Sequence, residues 1–235
     1  MNKPVAIIPA RGGSERIPKK NITPLLGRPL ISYPILACLE SQAFEKVIVS
    51  TENDEIASVA KEYGAEVYYR PPELADAHAA IHSVLPSVLQ VLESKEKVLP
   101  KYFCLVYATA VLLEGRHFTE SYNVLTSEQY NFVMAVRKYR THPYKALEFS
   151  NDKLTPVFKD KYLMRTQDFP EYYAPAGAFQ WMNTELFLNG TNIWDQPRYP
   201  YELEPYTAID VDDHNDLEIA SRLLLAKESL SARKI

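Results

Sequence analysis

The chain has 235 residues, 46% of them hydrophobic, enough to bury one substantial α/β core. Its 26 Lys and Arg against 30 Asp and Glu leave a net charge of −4, which argues against a nucleic-acid binder. No apolar run approaches the roughly 20 residues that span a bilayer.

The opening Met1-Asn2-Lys3-Pro4 lacks the apolar stretch of a signal peptide. It leads into Val5-Ala6-Ile7-Ile8, a continuous apolar run expected of a strand covered on both faces. A helix is predicted over 30–41, with Pro34 as a local irregularity, then a strand over 47–49. A second helix over 52–63 is stopped by Gly64. Strand 66–69, helix 79–94, strand 102–107, helix 116–127 and strand 132–138 follow. This alternation predicts an α/β fold, a mostly parallel sheet with helices on both faces. Such sheets bind ligands beyond the carboxyl ends of their strands, which directs attention to the loops after Ile8, Thr51 and Tyr107.

Past residue 140 the pattern changes. A hairpin is expected from 146–149 and 154–158, a strand over 176–182, and a closing amphipathic helix over 213–227. Seven of the seventeen prolines and six of the sixteen tyrosines fall between Pro143 and Pro205, which predicts an irregular substrate lobe. Tyr199, Tyr201 and Tyr206 are expected to pack a proline-rich loop at a subunit boundary. Cys38 and Cys104 lie in apolar surroundings and read as buried thiols of a cytoplasmic protein rather than a disulfide or metal pair. His78 and His82 read as helix surface or a structural contact.

The loop from Pro9 to Asn21 carries the chemistry. Arg11, Arg16, Lys19 and Lys20 follow the first strand, with Glu15 among them. Gly12 and Gly13 let the backbone approach a ligand closely and turn its N–H groups inward. Amides plus cations are what a triphosphate requires. Neither G-x-x-x-x-G-K-[ST] nor G-x-G-x-x-G occurs, so a P-loop and a dinucleotide fingerprint have no support. Asp210 and Asp212 stand two apart, so in an extended segment their side chains share a side. They can hold a hard cation such as Mg²⁺ together with phosphate oxygens. The alternative is that they lead into a helix with Asp213 as its N-cap.

Ile8-Pro9-Ala10-Arg11-Gly12-Gly13-Ser14 with Ile17-Pro18-x-Lys20-Asn21 resembles the signature of the CMP-sialic acid synthetase family. The similarity continues through Val49-Ser50-Thr51, Arg70-Pro71-x-Glu73-Leu74-Ala75 and Asp210-Val211-Asp212 with Asp216. Arg165-Thr166-Gln167-Asp168, Tyr173-x-x-Ala176-Gly177-x-Phe179-x-Trp181 and Tyr107 resemble its pseudaminic acid branch. The resemblance implies one Rossmann-like nucleotidyltransferase domain over 1–235, with a small hairpin dimerisation insertion at about 140–175. It implies a cytoplasmic homodimer that transfers CMP from CTP to a nine-carbon acidic sugar with Mg²⁺ or Mn²⁺, and has no nucleic-acid or membrane partner. Legionaminic acid, N-acetylneuraminic acid and KDO are the alternative sugars, and a non-catalytic nucleotide- or sugar-binding relative is the alternative class.

Carried onto this sequence, the resemblance gives Arg11 and Lys20 to the triphosphate and, with Asp212, to catalysis. Ala10, Gly12, Gly13 and Ser14 would add loop contacts, and Asn21 would lie beside the transferred phosphate or ribose. Arg70 would approach the cytidine and Ala80 the base. Asp210 and Asp212 would hold the metal. The sugar is an anion, so Lys145 and Arg165 are candidates for its carboxylate, Gln167 for a polar substituent, and Tyr107 and Phe179 for the rest of its site. The chain departs from the family at Ala108-Thr109-Ala110-Val111, where a Pro-Thr-[SA]-Pro turn is usual. It departs again at Asp76–Ala80, where sialic acid synthetases have a serine-rich helix start. Pro175 and Ala178 replace the aspartate and glutamine of the pseudaminic pattern. These departures leave the sugar open.

Overall fold

Val5–Pro9 (β1) runs through the middle of the sheet, and its alternate side chains feed two different cores. Ala6 and Ile8 join Ile35, Cys38, Ile56 and Phe118 on one face, while Val5 and Ile7 meet Val84, Leu85 and Leu89 on the other. That double burial is why the strand is apolar at every position. The computed structural model describes residues 3–71, 74, 81–97, 99–127 and 130–232. Asp76–Ala80, and with them His78 and the contact expected of Ala80, lie outside the described residues, as does the His82 side chain.

After β1 come the short hairpin strands Pro24–Leu25 (β2) and Arg28–Pro29 (β3), and then helix Ser32–Glu40 (α1). Pro34 does not disturb α1: it is the third helical residue, where a backbone N–H has no intrahelical partner anyway. Lys46–Thr51 (β4) leads to Asp54–Glu62 (α2), whose N-cap Asn53 accepts from the Ile56 N–H at 3.0 Å. Glu66–Tyr69 (β5), Ile81–Glu96 (α3), Tyr102–Val106 (β6), Gly115–Ser127 (α4) and Phe132–Lys138 (β7) complete the regular half.

Between β7 and Tyr173–Asn183 (β10), residues 139–172 leave the sheet. They form the hairpin Leu147–Ser150 (β8) and Lys153–Pro156 (β9), then the short helix Lys159–Tyr162 (α5). Asn151 and Asp152 make the turn with φ of 51° and 58°, the left-handed pair a two-residue hairpin requires. This lobe has its own aromatic cluster. The His142 ring lies 4.6–4.7 Å from the rings of Tyr144, Phe169 and Tyr172. Phe149, Leu154 and Leu163 nevertheless remain largely exposed.

Thr184–Leu188 (α6), Arg198–Glu202 (β11) and His214–Ala232 (α7) close the chain. Among the described residues the main sheet has the order β11-β7-β10-β6-β1-β4-β5, parallel throughout except for β10, which runs antiparallel to β6 and β7. Two expectations need correction. Tyr199 and Tyr201 belong to strand β11 rather than a loop; Pro200 lacks an N–H, but β11 is an edge strand, where proline is tolerated. β10 is also longer than its apolar part, starting at Tyr173 and shifting register between Pro175 and Gln180. Both cysteines are free and buried, and burial pushes both thiols well up. No helix among the described residues is long and apolar enough to cross a membrane.

Candidate active site

The carboxyl ends of β1 and β6 open into a cavity of about 440 Å³. Its wall carries four cations, Arg11, Arg16, Lys20 and Arg70, against three carboxylates, Glu15, Asp210 and Asp212. Volume and charge suit a polyanionic ligand of nucleotide size. One expectation is corrected at Gly12, whose amide does not turn toward the cavity. The Gly12 N–H is already donated to Glu52 Oε1 at 2.5 Å, the Ser14 N–H to the Gly12 carbonyl at 3.0 Å, and the Ala10 N–H to the Ser50 carbonyl at 2.9 Å. These three amides hold the loop; Arg11, Arg16 and Lys20 face the cavity, while Lys19 pairs with Glu55 at 2.7 Å. Gly13 stands in open space. Asn21 is buried and donates to the Arg11 carbonyl at 2.9 Å, tying the base of the loop to its start.

The aspartates enter from the opposite end of the sequence. Lys20 Nζ donates to the Val211 carbonyl at 2.8 Å and to Asp212 Oδ1 at 3.2 Å, and Arg16 reaches the same Oδ1 at 2.8 Å. Asp213 and Asp216 form a reciprocal cap at the start of α7. Asp213 Oδ1 accepts from the Asp216 N–H at 3.0 Å, and Asp216 Oδ2 accepts from the N–H groups of Asp213 and Asp212 at 3.1 and 3.0 Å. The helix cap and the acidic pair are therefore one construction, with the cap fixing the backbone of Asp212. Asp210 is deeper, hydrogen-bonded by Thr109. Burial first, and the Asp212 charge second, push its carboxyl above the ordinary range. Gly177 stands against it at a φ of +61°, and a Cβ there would lie 2.6 Å from Asp210 Oδ2.

Arg11, Ser14, Lys20, Asn21, Arg70, Tyr107, Asp210 and Asp212 thus converge on one cavity. Burial raises the Tyr107 hydroxyl, which accepts from Gln180 Nε2 at 3.4 Å. Phe179 does not converge: it is 1% exposed and packs against Phe118 and Tyr201 in the core, so its place in a sugar site is corrected. Lys145, Arg165 and Gln167 lie in the lobe, away from the wall of this cavity. Lys145 is spent on the carbonyls of Tyr162 and Met164, and Arg165 on Asp168 at 2.9 Å. Arg16, Thr109 and Glu52 were not assigned from sequence. Arg16 had a signal, its place among the loop cations; the partners of Thr109 and Glu52 are remote in sequence.

A polyanion cavity at the strand ends of a mostly parallel sheet, with a carboxylate pair facing the cations, defines a nucleotidyltransferase. The cytidylyltransferase family model matches residues 5–227, and the chain belongs to that family. It is 34% identical to the pseudaminic acid cytidylyltransferase of Campylobacter jejuni over 94% of this chain and 96% of that one. It is 30% identical to the N-acylneuraminate cytidylyltransferase of Escherichia coli over 93% of this chain and 51% of that one. In fold it is similar to a solved CMP:2-keto-3-deoxy-manno-octonic acid synthetase complexed with CTP, with a TM-score of 0.68 at 16% identity, covering 96% of this chain and 100% of that one.

Proposed function

We propose that this enzyme transfers CMP from CTP to pseudaminic acid and releases pyrophosphate. The observation that carries the reading is the convergence of Arg11, Arg16, Lys20 and Arg70 on the Asp210–Asp212 pair in one cavity. The pseudaminic branch is favoured by the full-length similarity to the Campylobacter jejuni enzyme. The anomeric hydroxyl of the sugar attacks the α-phosphorus, a new O–P bond forms, and the bond to the β-phosphate breaks. Arg11, Arg16 and Lys20 neutralise the phosphate oxygens and hold the chain of phosphates in line.

The donor set fits Mg²⁺ or Mn²⁺. Asp210 is a desolvated carboxylate beside a second carboxylate, which raises its proton affinity, as expected where a cation is to be received. No group of three or more candidate ligands occurs among the described residues, and a hard ion that keeps several waters and takes phosphate oxygens needs only one or two carboxylates. Asp210 and Asp212 would hold it. Once bound it supplies charge neutralisation at the α-phosphate and lowers the pKa of the attacking hydroxyl. Pyrophosphate release should require CTP and pseudaminic acid together; equal release with ATP, GTP or UTP would contradict the reading.

The same reading makes the enzyme a cytoplasmic homodimer. Phe149 and Leu154 face each other across the β8–β9 hairpin and are 70% and 65% exposed, an apolar surface suited to a second copy. Paired Phe149→Asp and Leu154→Asp substitutions should halve the mass measured by light scattering. A wild-type mass equal to one chain would remove the dimer from the account.

A further inference from the structure

The proposed transfer leaves a carboxylate at the end of β4 without a role. Glu52 stands between the phosphate loop and Arg70. Its Oε1 accepts the Gly12 N–H at 2.5 Å, and its Oε2 lies 3.6 Å from Arg70 Nε. Neither Oε2 nor Arg70 Nε has a hydrogen-bond partner, both atoms are buried, and at 3.6 Å they face each other as an ion pair. The Arg70 side chain is only 5% exposed, its Nη2 donating to the Ser50 carbonyl at 2.5 Å. Burial lowers the proton affinity of Arg70, the nearby Arg11 charge lowers it further, and Glu52 opposes both. The next residue adds a steric seat. Gly12 rests on Asn53 so closely that a Cβ on it would lie 2.9 Å from Asn53 Nδ2. The corner after β4 thus grips the loop after β1 at Gly12, one residue from Arg11.

From this geometry we infer that Glu52 is a positioning residue for nucleotide binding. One oxygen fixes the phosphate loop and the other fixes Arg70, so that two cations from different loops keep one spacing in the empty enzyme. Glu52 touches no substrate; it acts through Gly12 and Arg70. The inference rests on the cavity being the CTP site. The bond runs from a part-buried amide to a carboxylate, and such charge-assisted hydrogen bonds are among the stronger ones.

Three variants separate the contributions. Glu52→Ala removes charge and acceptor, Glu52→Gln keeps a neutral acceptor for Gly12, and Glu52→Asp keeps the charge on a shorter arm. The KM for CTP should rise about tenfold in Glu52→Ala, with Glu52→Gln intermediate, while kcat at saturating CTP stays within about threefold. A merely structural role would reduce the active fraction, and so kcat, without moving KM. Amide NMR of the enzyme without ligands supplies a readout independent of function. The Gly12 N–H resonance, shifted downfield by the carboxylate, should move upfield in both Glu52→Ala and Glu52→Gln. An unmoved Gly12 resonance, or a wild-type KM in Glu52→Ala, would overturn the inference. Wild-type enzyme that fails to bind CTP would sink the functional reading instead, leaving the Gly12 resonance to decide this one.

Discussion

Asp212→Ala lowers pyrophosphate release by about a hundred- to a thousandfold, the scale of losing one preorganised electrostatic group at a charged transition state, and leaves the fold intact. The two halves of that expectation have separate grounds. Asp212 is 43% exposed, so its pairs with Arg16 and Lys20 contribute little to stability. Its backbone is held by the Asp216 carboxylate and by Lys20 on the Val211 carbonyl, neither of which needs the Asp212 side chain. What disappears is a carboxylate lining the proposed phosphate site and the partner that Lys20 and Arg16 share there. Thermal melting within a few degrees of wild type, beside near-complete loss of turnover, is the expected pair of results. Unchanged release would remove Asp212 from the mechanism.

Gly177→Ala should be nearly as damaging, although residue 177 offers no side chain to any reaction. The substitution forces alanine to a φ of +61° and places its Cβ 2.6 Å from Asp210 Oδ2 and 3.0 Å from Asp210 Cγ. Asp210 cannot stay where it is. A displacement of about 1 Å in a catalytic group costs up to about a hundredfold in rate, so kcat should fall by one to two powers of ten. Left-handed strain alone costs roughly 1–2 kcal/mol. Gly190→Ala is the control: its φ is +69°, yet nothing lies within 4 Å of its added Cβ. Both variants should melt a few degrees early, and only Gly177→Ala should lose turnover. Equal kcat in the two variants would show that Gly177 serves the backbone alone.

What the sequence showed, and what it hid, divides along chain distance. Local patterns were readable: the two-faced strand at Val5–Pro9, the Asn151-Asp152 hairpin, and the Asp213 cap at the head of the last helix. The charge of the first loop was readable as well, and so was the pairing of Asp210 with Asp212. Glycines at 12 and 13 suggested amides turned toward a ligand, but Gly12 turns its N–H to Glu52, 40 residues away. Lys20 finds Asp212 across 192 residues. No periodicity encodes such pairings. Phe179 entered the sugar site only through the strand motif it belongs to, and the structure buries β10 on both faces, with Ala178, Phe179, Trp181 and Met182 all in the core. Pro200 disguised β11 as a loop, since only its position at the sheet edge makes a proline acceptable there.

The most direct test of the central claim is pyrophosphate release with CTP and Mg²⁺, offering pseudaminic, legionaminic and N-acetylneuraminic acids and KDO in parallel. Release with pseudaminic acid and formation of its CMP derivative, with the other three far slower, is the expected result. Turnover of KDO with none of the nonulosonic acids, or silence with all four, would contradict it.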